Sequence, residues 1–226
     1  MELMIKYGNV VVMLMTVHLI ASVLAVEGRD FRGAIASLFV QSLTLALIFA
    51  TFGYLWGQPW LYAWCITALI TKAAIVPYLL IHYTQAFPKR EVRPLIGFRL
   101  SITLIIIFLV VFYHFIYVNI SFIAPTEAAL MEPAKSSLAM AFTVFFLGVW
   151  TCIVRRDVVK IVIGIVVLEN GIHLALVVLA PRLPETTLIG IASNIIIAAW
   201  LLLYLSGRIY QVLGTTDSLT LSELKR

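Results

Sequence analysis

The sequence predicts an all-α, polytopic membrane protein with seven transmembrane helices, and three observations predict it. The 226 residues are 62% hydrophobic and 12% charged, where a soluble domain is about 45–50% apolar and about a quarter charged. The mean hydropathy is +1.06. Seven stretches reach the roughly 20 mostly apolar residues that a bilayer-crossing helix needs. This composition excludes a soluble enzyme, a disordered chain and a nucleic-acid binder. Helices are expected because lipid cannot satisfy an unpaired backbone group.

The first span covers residues 4–26. It is read as a retained helix, because its apolar run exceeds the about 7–15 residues of a signal-peptide core and ends at Glu27 without a cleavage motif. Span two covers 33–55 and span three 60–84, joined by the short turn 56–59. Proline lacks a donor N–H and clashes with the carbonyl four residues back. Pro77 should therefore bend span three beside Lys72 and expose the carbonyl of Ala73. A loop with Pro88, Pro94 and a charge cluster leads to span four, 98–120. Spans five, six and seven cover 136–154, 159–179 and 186–207. No segment is long enough for a separate soluble domain.

The basic residues orient these spans. Arg29, Arg32, Lys89, Arg90, Arg93, Arg99, Arg155, Arg156, Lys160, Arg208, Lys225 and Arg226 fall on one side. Only Lys6, Lys135 and Arg182 fall on the other, and Lys72 lies within a span. Positive loops face the cytoplasm. The expected N-terminus is therefore outside, with a cytoplasmic tail at 208–226.

An internal repeat is also legible. Arg29-Asp30 precedes span two and Arg156-Asp157 precedes span six. Aligning Leu45-Ala46-Leu47 with Leu174-Ala175-Leu176 places Gln41 one residue from Glu169. Residues 4–84 and 136–207 thus read as parallel copies of a three-helix unit, with 98–120 as connector. Chance likeness of two hydrophobic helices is the alternative.

Two charges stand near mid-span, Lys72 and Glu169. Each costs about 2.5–3.5 kcal/mol to insert, and such residues usually face a bundle interior or water. His173 lies four residues after Glu169 and shares its face. The functional reading makes Glu169, His173 and Lys72 a proton relay. The bland reading is a fixed ion pair, with His173 holding Glu169 in place. Ser37, Gln41 and Thr44 share one face of span two, and Thr187 and Asn194 share one of span seven. These secondary polar groups hold water or bond neighbouring helices. His18 and His114 read as lone, hydrogen-bonded histidines. Gly164, Gly171 and Ala175 form a packing stripe, since small residues let helices approach closely in lipid. Cys65 and Cys152 are too few for an iron–sulfur or structural zinc site, and Glu169 with His173 supplies too few ligands for a metal. No catalytic, cofactor-binding or metal-ligating set is read from this chain.

Three patterns carry a resemblance: Ile70-Thr71-Lys72 with Val76-Pro77, Leu168-Glu169-Asn170-Gly171-Ile172-His173-Leu174, and the tail Gly214-Thr215-Thr216-Asp217-Ser218-Leu219-Thr220 with Leu224-Lys225. Through nearly its whole length the chain resembles component E of hydrogenase-4 and formate hydrogenlyase-type complexes. Spans five to seven also resemble the K-type small subunit of complex I and the C-type subunit of Mrp cation/proton antiporters, anchored on Glu169. The resemblance implies a non-catalytic membrane subunit of a complex I-like, group 4 nickel–iron hydrogenase in a prokaryotic inner membrane. It implies no cofactor on this chain, with the NiFe centre and iron–sulfur clusters on partner subunits. The implied partners are antiporter-like membrane subunits, an H-type membrane subunit and cytoplasmic hydrogenase subunits. The K-type pattern has a second carboxylate on its third helix, whereas span seven here carries Asn194 and no acid. A purely structural linking subunit is the main alternative. An autonomous carrier lacks a substrate-sized polar cluster, and a membrane enzyme lacks a nucleophile–base constellation.

Overall fold

The computed structural model describes residues 2–85, 97–180, 183 and 185–214. The charged loop with Lys89, Arg90 and Arg93, residue Arg182 and the tail motif from Thr215 onward lie outside the described residues.

Seven long helices carry the fold: α1 (Glu2–Glu27), α2 (Phe31–Trp56), α3 (Trp60–Thr84), α4 (Phe98–Val118), α5 (Ala134–Val154), α6 (Val158–Leu179) and α7 (Glu185–Leu213). Each contains a stretch long and apolar enough to cross a membrane. α7 runs on to Leu213, past the expected end at 207. The connection from α4 to α5 holds single helical turns at Ile120–Ile123 and Glu127–Leu130.

The two Arg-Asp pairs act alike. Asp30 Oδ2 accepts the Gly33 N–H at 2.8 Å, and Asp157 Oδ1 accepts the Val159 N–H at 2.8 Å. Each aspartate thereby caps the first turn of α2 or α6. α2 ends on Gly57, whose φ of +62° suits glycine.

α3 is interrupted, but not as a simple proline kink. Residues Leu69–Ile75 form a π-helical segment, and the Val76 N–H bonds back to the Thr71 carbonyl. A π segment adds a residue to the turn and widens it. Lys72 sits inside this widened segment, so the discontinuity surrounds the lysine rather than falling at a single carbonyl.

Close packing joins α5 to α6. A Cβ added at Gly148 would lie 2.4 Å from the Leu168 backbone N, and one at Gly171 would lie 2.5 Å from the Phe145 backbone N. The two helices thus meet backbone to backbone, using a glycine from each. Gly164 faces Thr151 on α5 in the same seam. Across the bundle, α1 packs on α5, α2 on α6 and α3 on α7. Each helix of the first expected unit therefore meets its counterpart in the second. α4 packs mainly on α5, at the periphery.

The buried apolar residues form two clusters. One gathers Met15, Phe49, Trp64, Leu138 and Val177; the other gathers Val26, Leu38, Val76, Leu147 and Val166. Along four of the helices the polar residues fall between the two. α1 reads Met15, His18, Ser22, Val26; α2 reads Leu38, Gln41, Thr44, Phe49; α3 reads Trp64, Lys72, Val76; α6 reads Val166, Glu169, His173, Val177. The cluster order reverses between α1 and α2 and again between α2 and α3, as an up-and-down chain requires, and α6 runs as α2 does. A polar layer therefore crosses the bundle at mid-depth, with an apolar plug above and below.

A second charged group closes one end. Glu27 pairs with Arg155 and accepts from Ser101 Oγ at 2.9 Å. Lys160 Nζ donates to the Ala25 carbonyl at 2.8 Å and the Val26 carbonyl at 3.1 Å. A cation on the last carbonyls of α1 complements that helix terminus. Arg155 and Lys160 read as loop charges in the sequence. Both are buried, and they staple α1 to the start of α6.

Candidate functional site

Four helices contribute to the polar layer. Lys72 is 1% exposed, yet it is the most engaged group in the layer. Its Nζ lies 2.7 Å from Asn170 Oδ1, 2.9 Å from His173 Nδ1 and 3.0 Å from Glu169 Oε2. An ammonium has three N–H donors and no acceptor; two of these approaches are hydrogen-bond contacts and the third is an ion pair. The widened π segment of α3 supplies the position, and the Glu169-Asn170-His173 spacing on α6 supplies all three partners.

The contact with Glu169 is an ion pair without an aligned hydrogen bond, and neither carboxylate oxygen has another hydrogen-bond partner. The carboxylate therefore keeps acceptor capacity free for water or a proton. It is also the layer's edge. Glu169 is 8% exposed, beside the half-buried Ile165, Leu168 and Ile172 on α6.

His173 Nδ1 faces opposite demands. It lies 2.9 Å from Lys72 Nζ and 3.0 Å from the Glu169 carbonyl oxygen. A charged Lys72 needs an acceptor there, so Nδ1 is bare and the ring proton sits on Nε2. A neutral Lys72 frees Nδ1 to carry a proton and donate it to the carbonyl. One proton moving across 2.9 Å satisfies both arrangements. Imidazole can then release its other ring proton, which makes it a shuttle.

Beyond Lys72 the layer continues. Asn170 Nδ2 donates to Gln41 Oε1 at 2.9 Å, and Gln41 Nε2 donates to Ser22 Oγ at 2.8 Å. Ser22 Oγ donates to the His18 carbonyl at 2.7 Å. His18 Nδ1 lies 3.0 Å from the Gln41 carbonyl and 3.2 Å from Thr44 Oγ1.

The structure thus brings together Lys72, Glu169, His173, Gln41 and Thr44 from the sequence reading. It does not bring in Ser37 or Asn194. Ser37 turns to the outer groove between α1 and α2, beside Val17, Ala21 and Leu24. Asn194 is exposed on α7. The side chain of Thr187 lies outside the described residues. His114 is exposed on α4, whereas His18 is fully buried in the layer. Sequence reasoning missed Asn170 and Ser22 as members. Asn170 carried a usable signal, since aligning Leu45 with Leu174 sets it opposite Gln41.

Seven membrane-length helices around a buried layer of paired charges define a multi-pass membrane protein with an internal ionisable site. Comparison with known proteins is more specific. Residues 136–226 match the family NADH-ubiquinone/plastoquinone oxidoreductase chain 4L. That region spans α5 to α7 and holds Glu169, Asn170 and His173. Over 207 residues the chain is 28% identical to hydrogenase-4 component E of Escherichia coli K12, covering 92% of this chain and 93% of that one. The corresponding protein of Shigella flexneri gives the same values. The chain is also 27% identical over 211 residues to an uncharacterised protein of Mycobacterium tuberculosis, covering 91% of each. No solved structure matches the chain at a significant level.

Proposed function

We propose that this chain is a non-catalytic membrane subunit of a complex I-like assembly of the group 4 nickel–iron hydrogenase type. In this reading it passes protons during ion translocation driven by electron transfer, in a prokaryotic inner membrane with its basic loops to the cytoplasm. The similarity to hydrogenase-4 component E and to the chain 4L family supports the setting.

The observation that carries the reading is the shape of the polar layer. A carrier must open a polar site to both membrane faces. Here the titratable groups lie between two apolar clusters, and the edge at Glu169 opens sideways at mid-depth. A proton on this layer is best exchanged with a neighbouring subunit rather than with water above or below. The metal chemistry falls to partners in the same reading. In this reading the NiFe centre and iron–sulfur clusters belong on partner subunits. Antiporter-like, H-type and cytoplasmic hydrogenase subunits are the proposed neighbours. The tight Lys72–Glu169 pairing favours a second reading, a purely structural subunit that joins those modules.

Glu169→Gln separates the two. Gln keeps the shape but carries neither charge nor a transferable proton. Loss of the counter-charge to Lys72 should lower the amount of complex that assembles, and the assembled fraction should still turn over a soluble electron donor. Proton movement per assembled complex, followed with a pH-sensitive dye in proteoliposomes, should fall well below that of the unaltered complex and of an Asn194→Leu control, whose residue lies outside the layer. Full pumping by Glu169→Gln leaves the structural reading standing.

A further inference from the structure

A charged Lys72 fixes the direction of every link beyond it. An ammonium can only donate, so Asn170 must present Oδ1 to it, at 2.7 Å. The Asn170 amide nitrogen must then face Gln41 Oε1, at 2.9 Å. The Gln41 amide nitrogen must then face Ser22 Oγ, at 2.8 Å, which leaves the Ser22 hydrogen to the His18 carbonyl at 2.7 Å. The chain runs from α3 through α6 and α2 to α1, and all its members are buried.

The opposite direction is equally complete. When the Lys72 proton moves to His173 Nδ1, an N–H bond breaks at Nζ and one forms at Nδ1. The positive charge passes to the imidazole, and the lysine amine gains a lone pair. Asn170 can then turn its NH2 to Lys72, Gln41 its NH2 to Asn170, and Ser22 its hydroxyl to Gln41 Oε1. The links between Lys72, Asn170, Gln41 and Ser22 are all kept, and the bond from Ser22 to the His18 carbonyl is lost. The amides carry no proton along the chain; they carry its orientation. Buried hydrogen-bond chains polarise one another, so the two directions act as alternative states of one unit.

We propose that Asn170 and Gln41 are positioning residues that hold Lys72 in its charged form and transmit its charge state to the α1–α2 hairpin by reversing together. This rests on the reading of Lys72 as a proton-carrying group. The titratable groups that face the chain are Glu169 and His173 on α6 and His18 on α1. Gln41 and Thr44 on α2 do not titrate. Among the described residues, the buried face of α7, with Ala192, Ile195 and Ala199, carries no titratable group.

Infrared difference spectra between mildly acidic and alkaline pH test this on the intact complex, with isotope-labelled Asn and Gln side-chain carbonyls. The unaltered complex should show one Asn and one Gln amide band that change with pH. Gln41→Met should remove the Gln band. An ionised Gln41→Glu side chain can only accept, so it should hold Asn170 in the first direction and remove the Asn band as well. The charge-balanced Lys72→Met/Glu169→Gln pair should remove both bands, and Asn194→Leu should remove neither. Bands absent from the unaltered complex, or persisting without Lys72, overturn the proposal. The spectrum needs no turnover, so it is judged separately from proton pumping by Glu169→Gln, which judges the function itself.

Discussion

Gly171→Leu and Gly148→Leu should each keep the chain from accumulating in the membrane. Even a single Cβ at these positions meets backbone atoms at 2.5 and 2.4 Å, and backbone cannot swing aside as a side-chain tip can. Overpacking a well-filled interior costs about 1–3 kcal/mol. Prying α5 from α6 also displaces Glu169, Asn170 and His173 together. A loss of about 1–2 kcal/mol changes the folded-to-unfolded ratio about 5- to 30-fold, so immunoblots of membrane fractions should show clearly reduced levels. Gly190→Leu is the control, because a Cβ there meets nothing within 4 Å. Equal levels for all three variants would show that the α5–α6 seam is not close-packed.

Lys72→Met should be nearly as damaging alone and largely harmless in the right company. Removing one partner of a buried ion pair costs about 3–5 kcal/mol, because the other charge is left uncompensated, whereas replacing both is often neutral. Membrane levels of Lys72→Met should therefore fall about tenfold or more. Adding Glu169→Gln should restore them, since Gln needs no counter-charge. Lys72→Arg keeps the cation but has a bulkier head that cannot release its proton. It should assemble better than Lys72→Met and still fail in proton transfer. If Lys72→Met accumulates normally without the second change, the pair is not the buried counter-ion system described above.

Much of this arrangement was legible in the sequence for simple reasons. Charges at mid-span are costly in lipid, so Lys72 and Glu169 announced an internal site, and the i to i+4 spacing added His173. The alternation of basic loops and apolar runs was enough to count the helices. Other features depend on which neighbour covers a face, and periodicity does not say. Ser37 and Gln41 lie one helical turn apart on the same side of α2, yet Gln41 meets α6 while Ser37 meets the outer groove. Asn194 sits on the side of α7 that the bundle leaves uncovered. Pro77 signalled a missing hydrogen bond, but the π-helical answer comes from packing around Lys72. Lys160 and Arg155 read as loop charges because a basic pair beside a span usually is one; the exposed carbonyls of α1 and the carboxylate of Glu27 draw them inward.

The most direct test of the central claim uses the charge-balanced pair. Complexes with Lys72→Met/Glu169→Gln should assemble and, with the metal centres on partner subunits as proposed, oxidise or reduce soluble partners at the unaltered rate. The measurement is protons moved per electron in proteoliposomes. A buried Lys72–Glu169–His173 relay predicts that this ratio drops by at least about tenfold while electron transfer continues. An unchanged ratio in the assembled double variant would contradict it, and would leave the polar layer as a structural clasp.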